Sequence, residues 1–268
     1  MFIDSHCHFN FDCFKTEQDH LLSALSDANI NKLIIPGTDA KRWPQIIGLV
    51  EQNIVLKEHK NKLYFALGVH PHFLTDFESG HLSQLKELLV KSLKQSDNRC
   101  VALGEIGLDK LIEIDLATQE SVFLAQLAIA ESLQLPVILH VVKTQSRVLQ
   151  LLKESKFSYG GVYHAFSGSE DIANEFIKLG FKLGIGGVIT YPNANKTRNA
   201  VSRLPLTSIV LETDAPDMPI YQQLMPHNSP LHLKNIFDSL CQIRKESPKV
   251  VAQQIYENTK GIFSIIND

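Results

Sequence analysis

The chain has 268 residues, 44% of them hydrophobic and 21% charged, with a formal net charge of −3. That length suits one (β/α)8 barrel of about 250 residues and excludes a mini-protein that needs disulfides or a structural metal to fold. The slight acidity excludes a globally basic surface, so any attraction for nucleic acid must come from local cations or bound metal.

In chain order, short apolar runs alternate with longer amphipathic stretches. Phe2–Ser5 reads as a first strand and leads into His6-Cys7-His8. Lys32–Pro36 and Leu63–Val69 read as the second and third strands. The third opens into Gly68-Val69-His70-Pro71-His72. His81–Leu93 has a helical pattern. Cys100–Gly104 is the fourth strand, followed directly by Glu105 in Gly104-Glu105-Ile106-Gly107-Leu108-Asp109. The helix expected over Leu116–Leu133 places Leu116, Phe123, Leu127 and Ala130 on one face. Pro136–His140 and Gly161–His164 are the fifth and sixth strands. A helix over Ser169–Leu179 meets its stop signal at Gly180. Phe181–Ile185 and Ser208–Glu212 complete eight strands, and the eighth leads into Asp214. Met218–Pro230 is the longest loop and is expected at the mouth of the fold. Helices over Leu231–Arg244 and Ser247–Asn258 close the chain, the second starting with Ser247 as N-cap and Pro248 at the first helical position.

Val137-Ile138-Leu139 and Ile209-Val210-Leu211 are apolar throughout, as strands covered on both faces should be. Strand–helix alternation repeated eight times predicts an α/β fold, a (β/α)8 TIM barrel, spanning residues 1–268 as one domain. An open doubly wound sheet is the alternative. Cys7, Cys13, Cys100 and Cys241 form no Cys-x-x-Cys pair, which points to reduced thiols rather than a disulfide framework. No basic stretch precedes an apolar run at the start, and no apolar run reaches the ~18 residues of a membrane span. A cytoplasmic location is therefore expected, with no membrane and no obligate protein partner.

The chemistry gathers at strand ends. His6 and His8 share one face because residues i and i+2 of an extended chain point the same way. Glu105 follows the fourth strand, His140 ends the fifth, His164 ends the sixth and Asp214 follows the eighth. In a (β/α)8 barrel the C-terminal strand ends surround one pocket, where the active site sits. Several unpaired ionisable groups buried together are costly, and a metal satisfies them. Six ligands exceed the set for one catalytic zinc, and two ions about 3.5–4 Å apart can share a carboxylate. Glu105 is the expected bridge. One ion takes His6, His8, Glu105 and Asp214, and the other takes Glu105, His140 and His164. Water activated by the ions is the nucleophile and Asp214 the general base. The donors suit zinc, manganese or magnesium.

Other residues are second-rank candidates. His70 is placed to bond a substrate phosphate or orient a ligand. Lys143, Lys196 and Arg198 are the basic groups expected at the mouth, with Lys143 a candidate substrate contact. Asp109 is read as a surface or capping acid, and Glu212, two residues before Asp214, as an acid that shares its face and stands behind the ligands. Gly184-x-Gly186-Gly187 lacks the full dinucleotide pattern and reads as small residues making room. His20, His59, His81, His227 and His232 read as surface residues.

With these motifs assembled, the chain resembles the TatD-type metal-dependent deoxyribonuclease/hydrolase family. The carriers are FIDSHCHF at 2–9, LGVHPH at 67–72, GEIGLD at 104–109, LPVILH at 135–140, YHAFSGS at 163–169 and LETDAPD at 211–217. The GGVITYPNA segment at 186–194 is similar to the bacterial YjjV-like subgroup. The resemblance implies an amidohydrolase-like barrel with one or two divalent cations at His6, His8, Glu105, His140, His164 and Asp214, and hydrolysis of phosphodiester bonds in DNA. Two positions depart from the family. Val141-Val142 stand where Ser-Arg is common, and Ser229 follows Asn228 where Arg is common. Both arginines would contact phosphate. A DNA-cleaving phosphodiesterase is the leading expectation. A metal-dependent hydrolase of another ester or amide, such as a small metabolite or an aminoacyl ester, is the alternative, and a metal-binding barrel without catalysis is a third.

Overall fold

The computed structural model describes residues 1–56, 61–224 and 226–264. Eight parallel strands run in sequence order around one sheet. They are β1 Phe2–Asp4, β2 Ile30–Pro36, β3 Lys62–Leu67, β4 Cys100–Asp109, β5 Val137–Val142, β6 Gly161–Tyr163, β7 Phe181–Ile185 and β8 Ile209–Leu211. The helices between and after them are α1 Gln18–Asp27, α2 Trp43–Leu56, α3 Gly80–Leu93, α4 Leu116–Leu133, α5 Gln145–Glu154, α6 Glu170–Lys178, α7 Asn195–Arg203, α8 Leu233–Ile243 and α9 Pro248–Ile262. Backbone bonds from Ser5 to Leu211 (2.9 Å) and from Asp214 to His6 (2.8 Å) bridge β8 to β1, so the sheet is a nearly closed barrel.

Side-chain alternation divides the apolar residues into two layers. Leu33, Ile35, Val137 and Leu139 face outward and join helix residues such as Leu89, Phe123 and Leu127 in one large core. Ile34, Ile138 and Val210 face inward and fill the barrel, with Phe263 packed against them. Both faces of the strands are thus covered, which is why their sequences read as continuous apolar runs. Full burial of one such side chain contributes about 1.5–3 kcal/mol.

Helix ends follow the chain's local chemistry. Asp115 caps α4 by accepting the Thr118 N–H at 2.9 Å, and α4 ends at Gln134 in the left-handed region. Gly180, at φ 85°, ends the turn after α6 as its sequence position predicts. Ser247 caps α9, with Pro248 as the first helical residue.

The elements differ from the sequence reading at several ends. β4 runs on to Asp109 because Ile106 and Leu108 keep the buried alternation and pair with Leu139 and Val141 of β5, which itself reaches Val142. Gly107 hid this extension. It has φ 155°, and a Cβ there would lie 1.8 Å from the His140 carbonyl oxygen. β1, β6 and β8 stop short of Ser5, His164 and Glu212, though His164 still bonds the Leu139 carbonyl at 3.1 Å. The segment before α8 is a separate 3-10 turn, Pro230–His232, capped by Ser229. α9 continues past Asn258 to Ile262 because Thr259 and Phe263 are still buried. His59 lies outside the described residues, as does residue 225 of the Met218–Pro230 loop. Among the described residues, no helix is long and apolar enough to cross a membrane, and all four cysteines are free thiols.

Candidate metal centre

Beyond Asp4 the chain stays extended. His6 and His8 turn to one side with ring centroids 5.1 Å apart, while Cys7 between them enters the outer apolar core. Asp4 fixes this segment. One of its carboxylate oxygens accepts the N–H groups of His6 (3.2 Å) and Thr213 (3.0 Å), and the other accepts the Thr213 hydroxyl at 2.6 Å. The turns carrying His6 and Asp214 are therefore tied to one buried carboxylate. Asp214 itself takes a positive φ of 56°.

Glu105 sits at the centre, buried, and its two oxygens face different partners. Oε2 lies 3.2 Å from His6 Nε2 and 3.8 Å from His8 Nε2. Asp214 Oδ1 lies 3.4 Å and 3.6 Å from the same two nitrogens. Oε1 lies 2.8 Å from His164 Nε2, 3.0 Å from His140 Nδ1 and 3.3 Å from His70 Nε2. All six residues expected as ligands thus converge, at the C-terminal end of the barrel.

A surrounding set of acids holds the rings. His140 turns Nε2 to Asp109 Oδ2 at 3.0 Å, which leaves Nδ1 facing Glu105. His72 Nε2 meets the same Asp109 oxygen at 2.8 Å. Glu212, fully buried, takes the Ala165 N–H and the Ser5 hydroxyl and lies 3.7 Å from His164 Nδ1. Gly184 makes room for it, since a Cβ there would meet Glu212 Oε2 at 2.1 Å. Hydrogen-bonded carboxylates behind metal-facing imidazoles fix tautomer and orientation. His70 is different. Its Nδ1 accepts the His72 N–H at 3.1 Å, so in the neutral ring Nε2 carries the proton and is a donor.

Burial would raise the Glu105 carboxyl, but His164, His70 and His6 outweigh it and hold Glu105 well below the usual range. Burial would lower His164, but Glu105 and Glu212 outweigh it and raise the ring well above its ordinary value. His140 is raised too, because contacts with Asp109 and Glu105 exceed the burial penalty. Burial lowers His8 far below normal and takes His70 down to about 4. Asp214 is pushed up to about 6 by burial, against the pull of His164 and His6.

These donors fit divalent cations. His6 Nε2, which faces Glu105 and Asp214, is buried and makes no hydrogen bond. The His6, His8 and Glu105 ligand atoms lie within 4.8 Å of one another. Ligand atoms on a tetrahedral ion with bonds of about 2.0–2.1 Å stand about 3.4 Å apart, close to the spacings here.

The sequence reading needs correction elsewhere. Asp109 is no surface acid, although one of its oxygens caps the following turn by accepting the Leu111 N–H at 2.8 Å. It is 4% exposed and holds His140 and His72. Glu212 stands behind the ligands as expected, and the ring it faces is that of His164. Lys143 is exposed and is not brought to the cluster. It lines a neighbouring cavity of about 500 Å3 with Lys196, while Arg198 turns to the Ile189 carbonyl. His20 is exposed, but His81, His227 and His232 are half-buried, and His232 Nδ1 meets Asn228 Oδ1 at 2.8 Å. The pocket at the cluster also exposes Phe11 and Phe73. Arg42 lies over both rings, at 5.6 and 4.9 Å. No spacing rule marked Arg42, since it stands in the loop after β2, outside every strand-end motif.

A barrel that gathers imidazoles and carboxylates at its C-terminal strand ends defines a metal-dependent hydrolase. The model of the family described as TatD-related DNase matches residues 3–264, and the chain belongs to that family. An uncharacterized metal-dependent hydrolase of Escherichia coli K12, YjjV, is 37% identical, with 98% of each chain covered. Its crystal structure superposes with a TM-score of 0.91, covering 99% of this chain and 98% of that one. An uncharacterized metal-dependent hydrolase of Haemophilus influenzae is 36% identical over 98% of this chain and 99% of its own. A Rahnella protein named 3'-5' ssDNA/RNA exonuclease TatD is 30% identical over 94% of each chain.

Proposed function

We propose that the chain is a phosphodiesterase acting on DNA or short oligonucleotides, with two divalent cations per chain. The observation that carries this reading is the division of Glu105 between two sets of imidazoles, Oε2 towards His6 and His8 and Oε1 towards His140 and His164. His6, His8, Glu105 and Asp214 would hold one cation, and Glu105, His140 and His164 the other. Zinc, manganese and magnesium all suit such donors. Bound cations supply Lewis acidity and make water acidic enough to attack near neutral pH.

The chain's own groups do the rest. The Asp214 carboxylate, 3.4 and 3.6 Å from His6 and His8, would accept the proton of the attacking water. Glu105 stays ionised. His70 donates from Nε2 to Glu105 Oε1 and steadies that carboxylate, and Asp109 holds His140 with Nδ1 towards the pocket. The name of the Rahnella relative supports a nucleic-acid substrate, and four free thiols suit a reducing, cytoplasmic setting. A second reading, hydrolysis of another ester or amide, is favoured by one fact. No Lys or Arg is among the described residues lining the cluster's pocket.

The test starts with protein stripped by a chelator and reloaded with magnesium, manganese or zinc. It is then offered single-stranded DNA, duplex DNA and a panel of esters. We expect two equivalents of metal by elemental analysis, one in His140→Ala, and DNA shortened only by reloaded protein. Ester turnover without DNA cleavage establishes the second reading, and absence of metal uptake overturns both.

A further inference from the structure

Across Phe73 from the cluster lies another cavity, of about 420 Å3, between the loop after β2 and the 3-10 segment Pro71–Asp76 after β3. Its apolar walls are Val69, Phe73 and Phe77. Phe73 belongs to both cavities, so a ligand held at the cluster enters the second one past this ring.

The charges around the cavity cancel in pairs. Lys41 Nζ meets Asp76 at 2.6 Å, and Arg42 pairs with Asp39. His81 is occupied by the Glu78 N–H at 3.2 Å and lies edge-on to Phe77 at 6.0 Å. The cavity therefore has no excess charge to draw in a bare phosphate. Aromatic, apolar walls of this size suit a flat ring instead.

Arg42 stands at the boundary of the two cavities and is held still. Its guanidinium lies over Phe73 and Phe11, and Phe11 stacks on His8 at 4.7 Å and 28°. The other oxygen of Asp39 accepts the backbone N–H groups of Lys41 (2.9 Å) and Arg42 (3.2 Å), which fixes the acid that fixes the arginine. One guanidinium nitrogen is engaged by Asp39. A guanidinium has five N–H donors, so others remain for an oxygen crossing this boundary.

We propose that this cavity is a nucleoside subsite. It takes the base and sugar adjoining the bond cut at the cluster. The base lies against Phe73 and Phe77, and Arg42 donates to the neighbouring phosphate or to a base oxygen. The proposal rests on the phosphodiesterase reading of the cluster and adds what is recognised beside the reacting bond.

Two measurements on metal-loaded protein test it. Calorimetry compares binding of thymidine 5′-monophosphate with deoxyribose 5-phosphate. Kinetics compare thymidine 5′-(p-nitrophenyl phosphate) with methyl p-nitrophenyl phosphate. The expected preference for the nucleoside compound is about tenfold in both, the scale of one stacked base. Phe77→Leu should remove most of that preference, with metal content and melting transition checked first. Phe73→Leu gives the same answer if the first variant does not fold, and Arg42→Gln should weaken nucleotide binding. Equal affinity for nucleotide and sugar phosphate, or a preference untouched by both Phe variants, overturns the subsite. Hydrolysis of neither diester, with the nucleotide preference intact and lost in Phe77→Leu, supports the subsite and sinks the phosphodiesterase reading. Hydrolysis of both diesters at equal kcat/KM with no nucleotide preference does the reverse.

Discussion

The two ends of the barrel treat buried polar groups in opposite ways. At the N-terminal end Lys32 is 1% exposed, yet its ammonium bonds the Tyr256 hydroxyl at 2.8 Å and lies over the ring. Arg99 holds Asp97 through two bonds of 2.6 and 2.9 Å and covers Tyr64. Asn258 donates to the carbonyls of Leu206 and Ile209 at 2.8 and 2.7 Å. At the C-terminal end five acids (Asp4, Glu105, Asp109, Glu212 and Asp214) and several imidazoles are packed together, and His6 Nε2 faces the cluster with no hydrogen bond. Leaving a buried polar atom unsatisfied costs about 1–3 kcal/mol. Asn31 Oδ1 apart, the described polar groups at one end are closed by the chain's own side chains, and the other end gathers groups suited to cations. Stability and function are thus assigned to different ends of one sheet.

The comparison breaks most directly at Glu105. In Glu105→Gln, one arm of the bridge becomes an amide that donates, so one set of imidazoles loses its shared anion. Replacing an outer partner of a metal ligand costs about 10–100-fold, and losing the bridge should exceed that, at least about 100-fold in hydrolysis, with metal content below two per chain. Elemental analysis and turnover check it. Two tightly held cations and near-normal activity would remove Glu105 from the centre.

Asp109→Asn should act more mildly, through His140. The weakened contact to Nε2 should lower affinity in one of the two metal-binding steps by about 10–100-fold. The signature is a titration in which one step moves and the other stays. The same titration has a pH sign. His164 and His140 are raised above their ordinary values, so in metal-free protein each stays protonated below its raised value and must lose that proton to bind a cation. Affinity should fall as pH falls through neutrality, and a dye should register proton release on loading. Loading with no proton release at pH 6–7 would contradict the ring assignments.

Much of this was legible in the sequence. His6 and His8 were readable because an extended chain sets i and i+2 on one side, and Glu105, His140, His164 and Asp214 because each closes an apolar run. Asp109 was not, because Gly107 interrupts the run that would have carried β4 to it. That glycine is required by the close approach of β5, a tertiary fact with no local signal. Glu212 was readable as a supporting acid but not its partner His164, since strand alternation gives a face but not a neighbour across the barrel. Arg42, Phe11 and Phe73 sit in loops, where no period links them. Lys143 was placed by sequence distance from His140, but its backbone turns to φ 55° there, and the side chain belongs to another cavity.

The smallest effect should come from the closed end. Tyr256→Phe removes the hydroxyl that Lys32 bonds but keeps the ring beneath the ammonium. Loss of one hydrogen bond, with the cation–ring contact retained, should cost about 1 kcal/mol. In a chain of this size that lowers Tm by roughly 2–4 °C. Metal content and turnover should match the parent, because nothing at this end faces the cluster. A Tyr256→Phe protein of normal Tm but altered metal affinity would mean that the ends are coupled through the barrel interior. The inward layer of Ile34, Ile138 and Val210 would then transmit strain rather than separate the two tasks.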